Sequence, residues 1–222
     1  MVHDNGARDG KSSSFLIDLF WAGLWDRARC MWCGFLEFFG ATLRMAKARK
    51  AAIGPRIRSG GQTGVDRAAL DAAMVAGWPY EGWCPKGGLA EDFVDPPGLL
   101  TKYPCLQETP SEFPKQRTEW NVRDSMATVV LVPRVQFSSP GTDFTIACAK
   151  KYGRPCTIIR YLDQGAAAEL EDVVSSLLAG TSVNIAGPRE SEHPGAYDLC
   201  LPLLVRTLGG RRGERSAPHS IN

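Results

Sequence analysis

Residues 53–76 read Ile53-Gly54-Pro55-Arg56-Ile57-Arg58-Ser59-Gly60-Gly61-Gln62-Thr63-Gly64-Val65-Asp66-Arg67-Ala68-Ala69-Leu70-Asp71-Ala72-Ala73-Met74-Val75-Ala76. A short strand over 53–59 runs into a turn built on Gly60, Gly61 and Gly64. A helix over 65–76 follows, because Val65, Ala68, Ala69, Ala72, Ala73 and Ala76 recur at helical spacing and form one small apolar face. Strand, glycine turn and helix together are the first half of a βαβ unit, and the pattern repeats downstream.

Residues 78–84 read as extended. Residues 85–114 are mostly loop, broken by Pro85, Pro96, Pro97, Pro104 and Pro110, with a short strand at 103–106. Then come a helix over 115–125, a strand over 127–133, a turn over 137–142 and a helix over 143–152. A strand over 155–161, a helix over 166–179, a strand over 182–186 and a helix over 195–208 complete the series. The run ATVVLVP at 127–133 is the clearest strand, continuous and β-branched as in a sheet covered on both faces. Strands alternating with helices predict an α/β, Rossmann-like three-layer sandwich with a mostly parallel sheet. Right-handed crossovers place every strand-to-helix turn on one edge, where ligands bind.

The chain has 222 residues, 44% hydrophobic and 23% charged, which excludes a wholly disordered or collagen-like chain and supplies one sizeable core. The formal net charge is +2, distributed as +3 over 1–52, −3 over 53–208 and +2 over 209–222. A mildly acidic central domain argues against a nucleic-acid surface there. Seven cysteines, an odd number, point to free thiols in a reducing compartment and a cytoplasmic protein. The apolar stretch 15–39 is interrupted by Asp18, Asp26, Arg27, Arg29 and Glu37, so no run reaches the roughly 20 residues of a bilayer span. Asp18 also makes it a poor signal peptide.

Three regions follow: an atypical N-terminal extension over 1–52, a ligand-binding domain over 53–208, and a polar, disordered tail over 209–222. The extension carries Trp21, Trp25, Trp32 and five phenylalanines, with short helical spacings. It reads as a membrane-surface or partner helix, as a helix packed on the domain, or as sequence upstream of a true start at Met31 or Met45. Cys30 and Cys33 form C-x-x-C, but the remaining cysteines supply no second pair at zinc-ligand spacing.

The chemistry lies in the turns. Gly60, Gly61 and Gly64 let the backbone approach a ligand, Thr63 adds a hydroxyl or an N-cap, and the helix that opens at Val65 attracts an anion. The spacing is neither G-x-G-x-x-G nor a P-loop. A second turn, Ser138-Ser139-Pro140-Gly141-Thr142, follows the best strand. Arg117, Asn121 and Asp124 share one helical face, and Arg117 suits an oxyanion or a solvated ion pair. After the strand at 182–186, Arg189 is placed to reach the same edge. Cys84 is either a buried filler or a contact for a soft metal.

Five motifs in order carry a family resemblance: SGGQTGVDRAALDAA (59–73), GWCPKG (82–87), YPCLQET (103–109), RTEWNVRDS (117–125) and NIAGPRES (184–191). Together they resemble the molybdenum carrier family, the molybdenum-cofactor carrier proteins, of the lysine-decarboxylase-like Rossmannoid superfamily. The resemblance covers roughly 53–208. It implies a Rossmann-like homo-oligomer that binds molybdenum cofactor, a pterin with a phosphate and a molybdenum oxyanion, with molybdoenzymes as recipients. The implied ligand-binding set is Gly60, Gly61, Gln62, Thr63, Gly64, Asp66, Lys86, Arg117, Thr118, Asn121, Gly141, Thr142 and Arg189. Departures are Pro140 in the second turn, which removes an N–H donor, Met126 in place of an acidic residue, and Arg58 in an otherwise apolar strand.

The same superfamily holds nucleoside monophosphate phosphoribohydrolases with a catalytic glutamate after a Gly-Gly-x-Gly-Thr turn. Here Thr145 stands at that place, so the expectation is a binding protein without covalent chemistry. The alternatives are a hydrolase using Asp143 or Glu119, and a nucleotide-sensing module. His193 precedes Pro194 and reads as a solvated loop residue.

Overall fold

The structure is a computed structural model that describes residues 55–214 except 135 and 179, with the backbone alone for 211–214. The expectations for 1–52, including the C-x-x-C pair, and for the end of the tail lie outside the described residues.

Six strands form one sheet: β1 (Arg56–Arg58), β2 (Tyr80–Cys84), β3 (Leu106–Glu108), β4 (Ala127–Val132), β5 (Cys156–Arg160) and β6 (Ser182–Ala186). The helices are α1 (Val65–Ala76), α2 (Leu99–Lys102), α3 (Pro114–Arg123), α4 (Pro140–Lys151), α5 (Ala166–Ser175) and α6 (Ala196–Glu214). The strand order is β3-β2-β1-β6-β4-β5, and every pairing is parallel. The Rossmann-like α/β expectation is borne out. Connections run outward from β1 through β2 to β3, and from β4 to β5, so the order reverses around β6. That reversal is where an open parallel sheet leaves a crevice.

The sheet is covered on both faces because its strands alternate. In β4, Val129 and Leu131 join Ile57, Val183 and Ile185 in the main core, against α1, α5 and α6. The alanine face of α1 has no bulk, so α6 packs closely through Cys200, Leu204 and Leu208. The opposite face carries Thr128, Val130 and Val132 of β4, covered by α3 and α4, where Val122, Cys148 and Ala149 form a small cluster. A third cluster, Leu70, Cys84, Leu99, Tyr103 and Leu106, fills the β2–β3 end. Arg58, which breaks the apolar strand, lies beside its cross-strand neighbour Glu81 at 2.5 Å.

Several boundaries differ from the sequence expectation for local reasons. α4 begins at Pro140 rather than 143, because Ser139 caps it by accepting from the Thr142 N–H at 3.3 Å. Pro140 is then the first helical residue, where a missing N–H breaks no intrahelical bond. α5 ends at Ser175, not 179, where Ser175 and Ser176 turn their hydroxyls back onto the Glu171 and Val173 carbonyls. α6 continues past 208 to Glu214. The strand expected at 103–106 lies at 106–108, preceded by the short helix α2.

Replacing Leu131, fully buried at the centre of β4, by Ala is expected to lower stability by about 2–5 kcal/mol. Urea denaturation measures this; a loss below 1 kcal/mol would place the core elsewhere.

Candidate functional site

The turns after β1, β4 and β6 meet at the carboxyl edge of the sheet. Gly64 has a left-handed φ of 73°, and a Cβ there would stand 2.3 Å from the Pro188 carbonyl oxygen. The Val65 N–H donates to that same oxygen at 3.1 Å. A Cβ on Gly187 would stand 2.3 Å from the Leu131 carbonyl oxygen. Ser59 Oγ donates to the Ile185 carbonyl at 2.9 Å. The three strand ends are thus locked backbone against backbone.

A cleft of about 50 Å3 lies between them, lined by Gln62, Asp66, Arg117, Thr118, Gly141 and Arg189 among others. These six are site residues expected from sequence, and three helices and two turns bring them together. Asp66 opens α1 and pairs with Arg117 of α3 at 2.7 Å, both side chains largely buried. Burial pushes the Asp66 carboxyl up, and the Arg117 guanidinium pulls it back. Arg117 lies over Gly60: a Cβ there would stand 1.9 Å from its Nη1. Its Nε is buried and has no hydrogen-bond partner in the protein.

The other expected residues have different surroundings. Asn121 is buried, and its side-chain amide accepts from the Trp83 N–H at 2.8 Å and donates to the Trp83 carbonyl at 2.9 Å. It replaces the strand partner that β2 loses where β1 turns away at Ser59, and so holds the sheet rather than facing the cleft. Lys86 is exposed in a 3-10 turn and does not line the cleft. Thr142 is buried and accepts from the Ser139 hydroxyl at 3.0 Å. Gly61, with φ 72°, faces Leu99 and Leu106. Cys84 is buried, donates toward the Gln107 carbonyl at 3.5 Å, and has its thiol pushed up to about 11 by burial, so it is a filler.

Thr63 and Arg189 are engaged by a residue that the sequence did not single out. The Glu91 carboxylate accepts from the hydroxyls of Thr63 and Ser191, and Arg189 Nη1 lies 3.3 Å from it. The Glu91 N–H donates to Gln62 Oε1 at 2.9 Å, and the next residue, Asp92, takes two bonds of 2.8 Å from Arg67. Partial burial opposes the charge of Glu91, but Ser191, Thr63 and Arg189 outweigh it and hold its carboxyl below the usual range. Arg67 does the same for Asp92. Only the acidic pair inside a proline-rich loop hints at this in sequence. His193 also differs from expectation: it is half-buried, bonded to the Tyr161 hydroxyl at 3.0 Å, with Phe137 and Tyr161 edge-on to its ring.

Thr145, at the place of the hydrolase glutamate, lines the cleft and donates to the Gly141 carbonyl at 2.9 Å. Neither alternative carboxylate is there. Asp143 is exposed and accepts from Ser138 Oγ at 2.6 Å; Glu119 accepts from Lys151 Nζ and the Tyr152 hydroxyl, each at 2.6 Å. Among the described residues no group of His, Cys, Asp and Glu is placed to hold a metal ion, and no helix is long and apolar enough to cross a membrane.

A parallel sheet with helices on both faces, whose central turns enclose an arginine-lined cleft, is a Rossmann-like α/β fold. The chain belongs to the circularly permutated YpsA SLOG family, whose model matches residues 57–208. It is 35% identical to a solved structure from Syntrophus aciditrophicus SB, provisionally named a molybdenum carrier protein; the match covers 71% of this chain and 96% of that one, with a TM-score of 0.59. The family resemblance read from the five motifs is thereby borne out. No curated protein matches the chain.

Asn121→Leu is expected to destabilise the protein by about 1–3 kcal/mol for each Trp83 backbone group left buried and unpaired, read by thermal or urea unfolding; an unchanged midpoint would free Asn121 for ligand. The lowered carboxyls of Glu91 and Asp92 fix a pH dependence as well. Their contribution is complete above the ordinary carboxylate range of about 4 and is lost as pH falls through their lowered values. Hydrogen exchange over 89–98 should therefore rise on acidification before that of β4, and uniform exchange at both would contradict it.

Proposed function

We propose that this protein binds molybdenum cofactor as cargo, with an oxyanion or phosphate group of the ligand in the cleft between the turns after β1, β4 and β6. The observation that carries this reading is Arg117: a nearly buried guanidinium laid over Gly60, with one buried N–H unpartnered. A charged hydrogen bond to an anion would complete it. Gly60 is the place where no side chain could be tolerated without moving that guanidinium.

Size separates the ligand's parts. A cleft of about 50 Å3 is several times smaller than whole-ligand pockets, which run to about 300–1,000 Å3. The anionic end enters and the pterin ring lies outside the mouth. Among the carboxylates, Asp66 and Glu192 line the cleft, and both face arginines, Arg117 and Arg189. That arrangement favours holding over hydrolysis, and favours carriage over the phosphoribohydrolase alternative. Handing the cargo to molybdoenzymes, a homo-oligomeric state and a cytoplasmic location complete the proposal.

The test is titration of the full chain with molybdenum cofactor and, in parallel, with AMP, reading bound molybdenum and released free base. Saturable molybdenum binding without base release is expected. Gly60→Ala should weaken it about 10- to 100-fold, the equivalent of one charged hydrogen bond of about 1.5–3 kcal/mol. Base release, or binding of AMP alone, would overturn the proposal. Arg117→Ala is a poor substitute for this variant, because it strands the buried Asp66 carboxylate and destabilises the fold.

A further inference from the structure

Three donors converge on the Glu91 carboxylate: the Thr63 hydroxyl, the Ser191 hydroxyl and the Arg189 guanidinium. They come from two loops, the glycine turn and the turn after β6. Those loops are fixed to each other independently of Glu91. The Val65 N–H reaches the Pro188 carbonyl, the Glu190 N–H donates to Thr63 Oγ1 at 3.2 Å, and Gly64 leaves no space for a Cβ between them. The donors therefore keep their arrangement with or without the carboxylate. Two hydroxyls and a guanidinium are a general oxyanion receptor, suited to carboxylate, phosphate or molybdate alike.

Glu91 belongs to neither loop. It sits in a tight turn closed by mutual backbone bonds between Ala90 and Phe93, at 2.9 and 3.2 Å. From there to Pro97 the chain runs along the surface, with Val94, Asp95, Pro96 and Pro97 all exposed. Besides the Glu91 carboxylate, Gln62 Oε1 and the Arg67–Asp92 pair tie this segment down. Two of the residues it holds, Gln62 and Arg189, also line the cleft.

We propose that Thr63, Ser191 and Arg189 form a second oxyanion subsite at the rim of the cleft, and that Glu91 is an internal anion that fills it until an anionic group of the ligand displaces it. The proposal rests on the cleft being an oxyanion site. It adds the ligand class, a molecule with two separated anionic groups, and a device for admission. Releasing Glu91 frees Gln62, which lines the cleft, and so opens its mouth while the three donors stay in place.

The test is calorimetric titration of the full chain with sodium molybdate and with pyrophosphate, together with hydrogen exchange over 89–98. Glu91→Ala should bind the probes about tenfold or more tightly than wild type, since it removes the competing internal state. Glu91→Gln serves the same purpose should the alanine variant fold poorly. Asp95→Ala, which removes an exposed charge from the same segment, should change affinity by less than about twofold. Adding Thr63→Val and Ser191→Ala to Glu91→Ala should abolish the gain. In wild type, exchange over 89–98 should rise on saturation. Equal or weaker binding by the Glu91 variants, a gain matched by Asp95→Ala, or exchange unchanged at saturation would each overturn the latch. If Gly60→Ala still loses affinity in those cases, the cleft reading stands alone. If Gly60→Ala binds normally while the Glu91 and hydroxyl effects hold, the rim subsite stands and the cleft reading falls. Absence of binding in every variant overturns both.

Discussion

Three strand ends touch at the carboxyl edge with no side chain between them, and the rest of the site depends on that contact. Gly64 against Pro188 and Gly187 against Leu131 are separations that only a missing Cβ permits. Because backbone meets backbone, the turns after β1, β4 and β6 have little freedom relative to one another. Arg189, Thr63 and Ser191 inherit fixed positions from them, and Asp66 at the start of α1 holds Arg117 of α3 against them. The proposed anion receptor, built this way, needs no rearrangement of its own donors, and the part proposed to move is a separate surface segment.

The two faces of the sheet divide the labour. The face under α1, α5 and α6 is a continuous apolar core that holds the central strands together. The face under α3 and α4 is thinner and more polar, with Arg58 paired to Glu81, and Ser182 donating to the Asp124 carbonyl at 3.3 Å. Asn121 belongs to this second arrangement. Where β1 leaves the sheet to form the glycine turn, β2 is deprived of a neighbour, and a side-chain amide stands in for a strand. The turn that makes the cleft thus creates a local debt in hydrogen bonding, which α3 settles while also delivering Arg117.

The helix at 65–76 and the strand at 182–186 were legible in full, because small apolar residues at one period and β-branched residues at another leave no competing assignment. The cleft was legible in part. Gly141 and Arg189 follow from the rule that turns on one sheet edge converge, Arg117 from the fit of a guanidinium to an oxyanion, and Gln62, Asp66 and Thr118 from the family resemblance. Asn121 sits on the right helix, but its role depends on where β1 ends, which no local pattern encodes. Lys86 lies in a motif yet does not line the cleft, and Glu91 was hard to single out because a proline-rich loop has no periodicity from which its path could be read. The start of α4 was misplaced for a simpler reason: Pro140 reads as a breaker until Ser139 is seen to cap the helix.

The sheet also sets the order in which this protein can be completed during synthesis. β1 pairs on one side with the nearby β2, but on the other with β6, and the Ser59–Ile185 hydrogen bond joins positions 126 residues apart. A nascent chain can assemble β1, β2 and β3 early, yet the central seam stays open until almost the whole domain has left the ribosome. Such long-range closure is slow and leaves apolar strand edges exposed in the interval. The first-made turn of the candidate site therefore waits for the last-made strand, and a truncated chain lacking β6 would carry the glycine motif without the cleft.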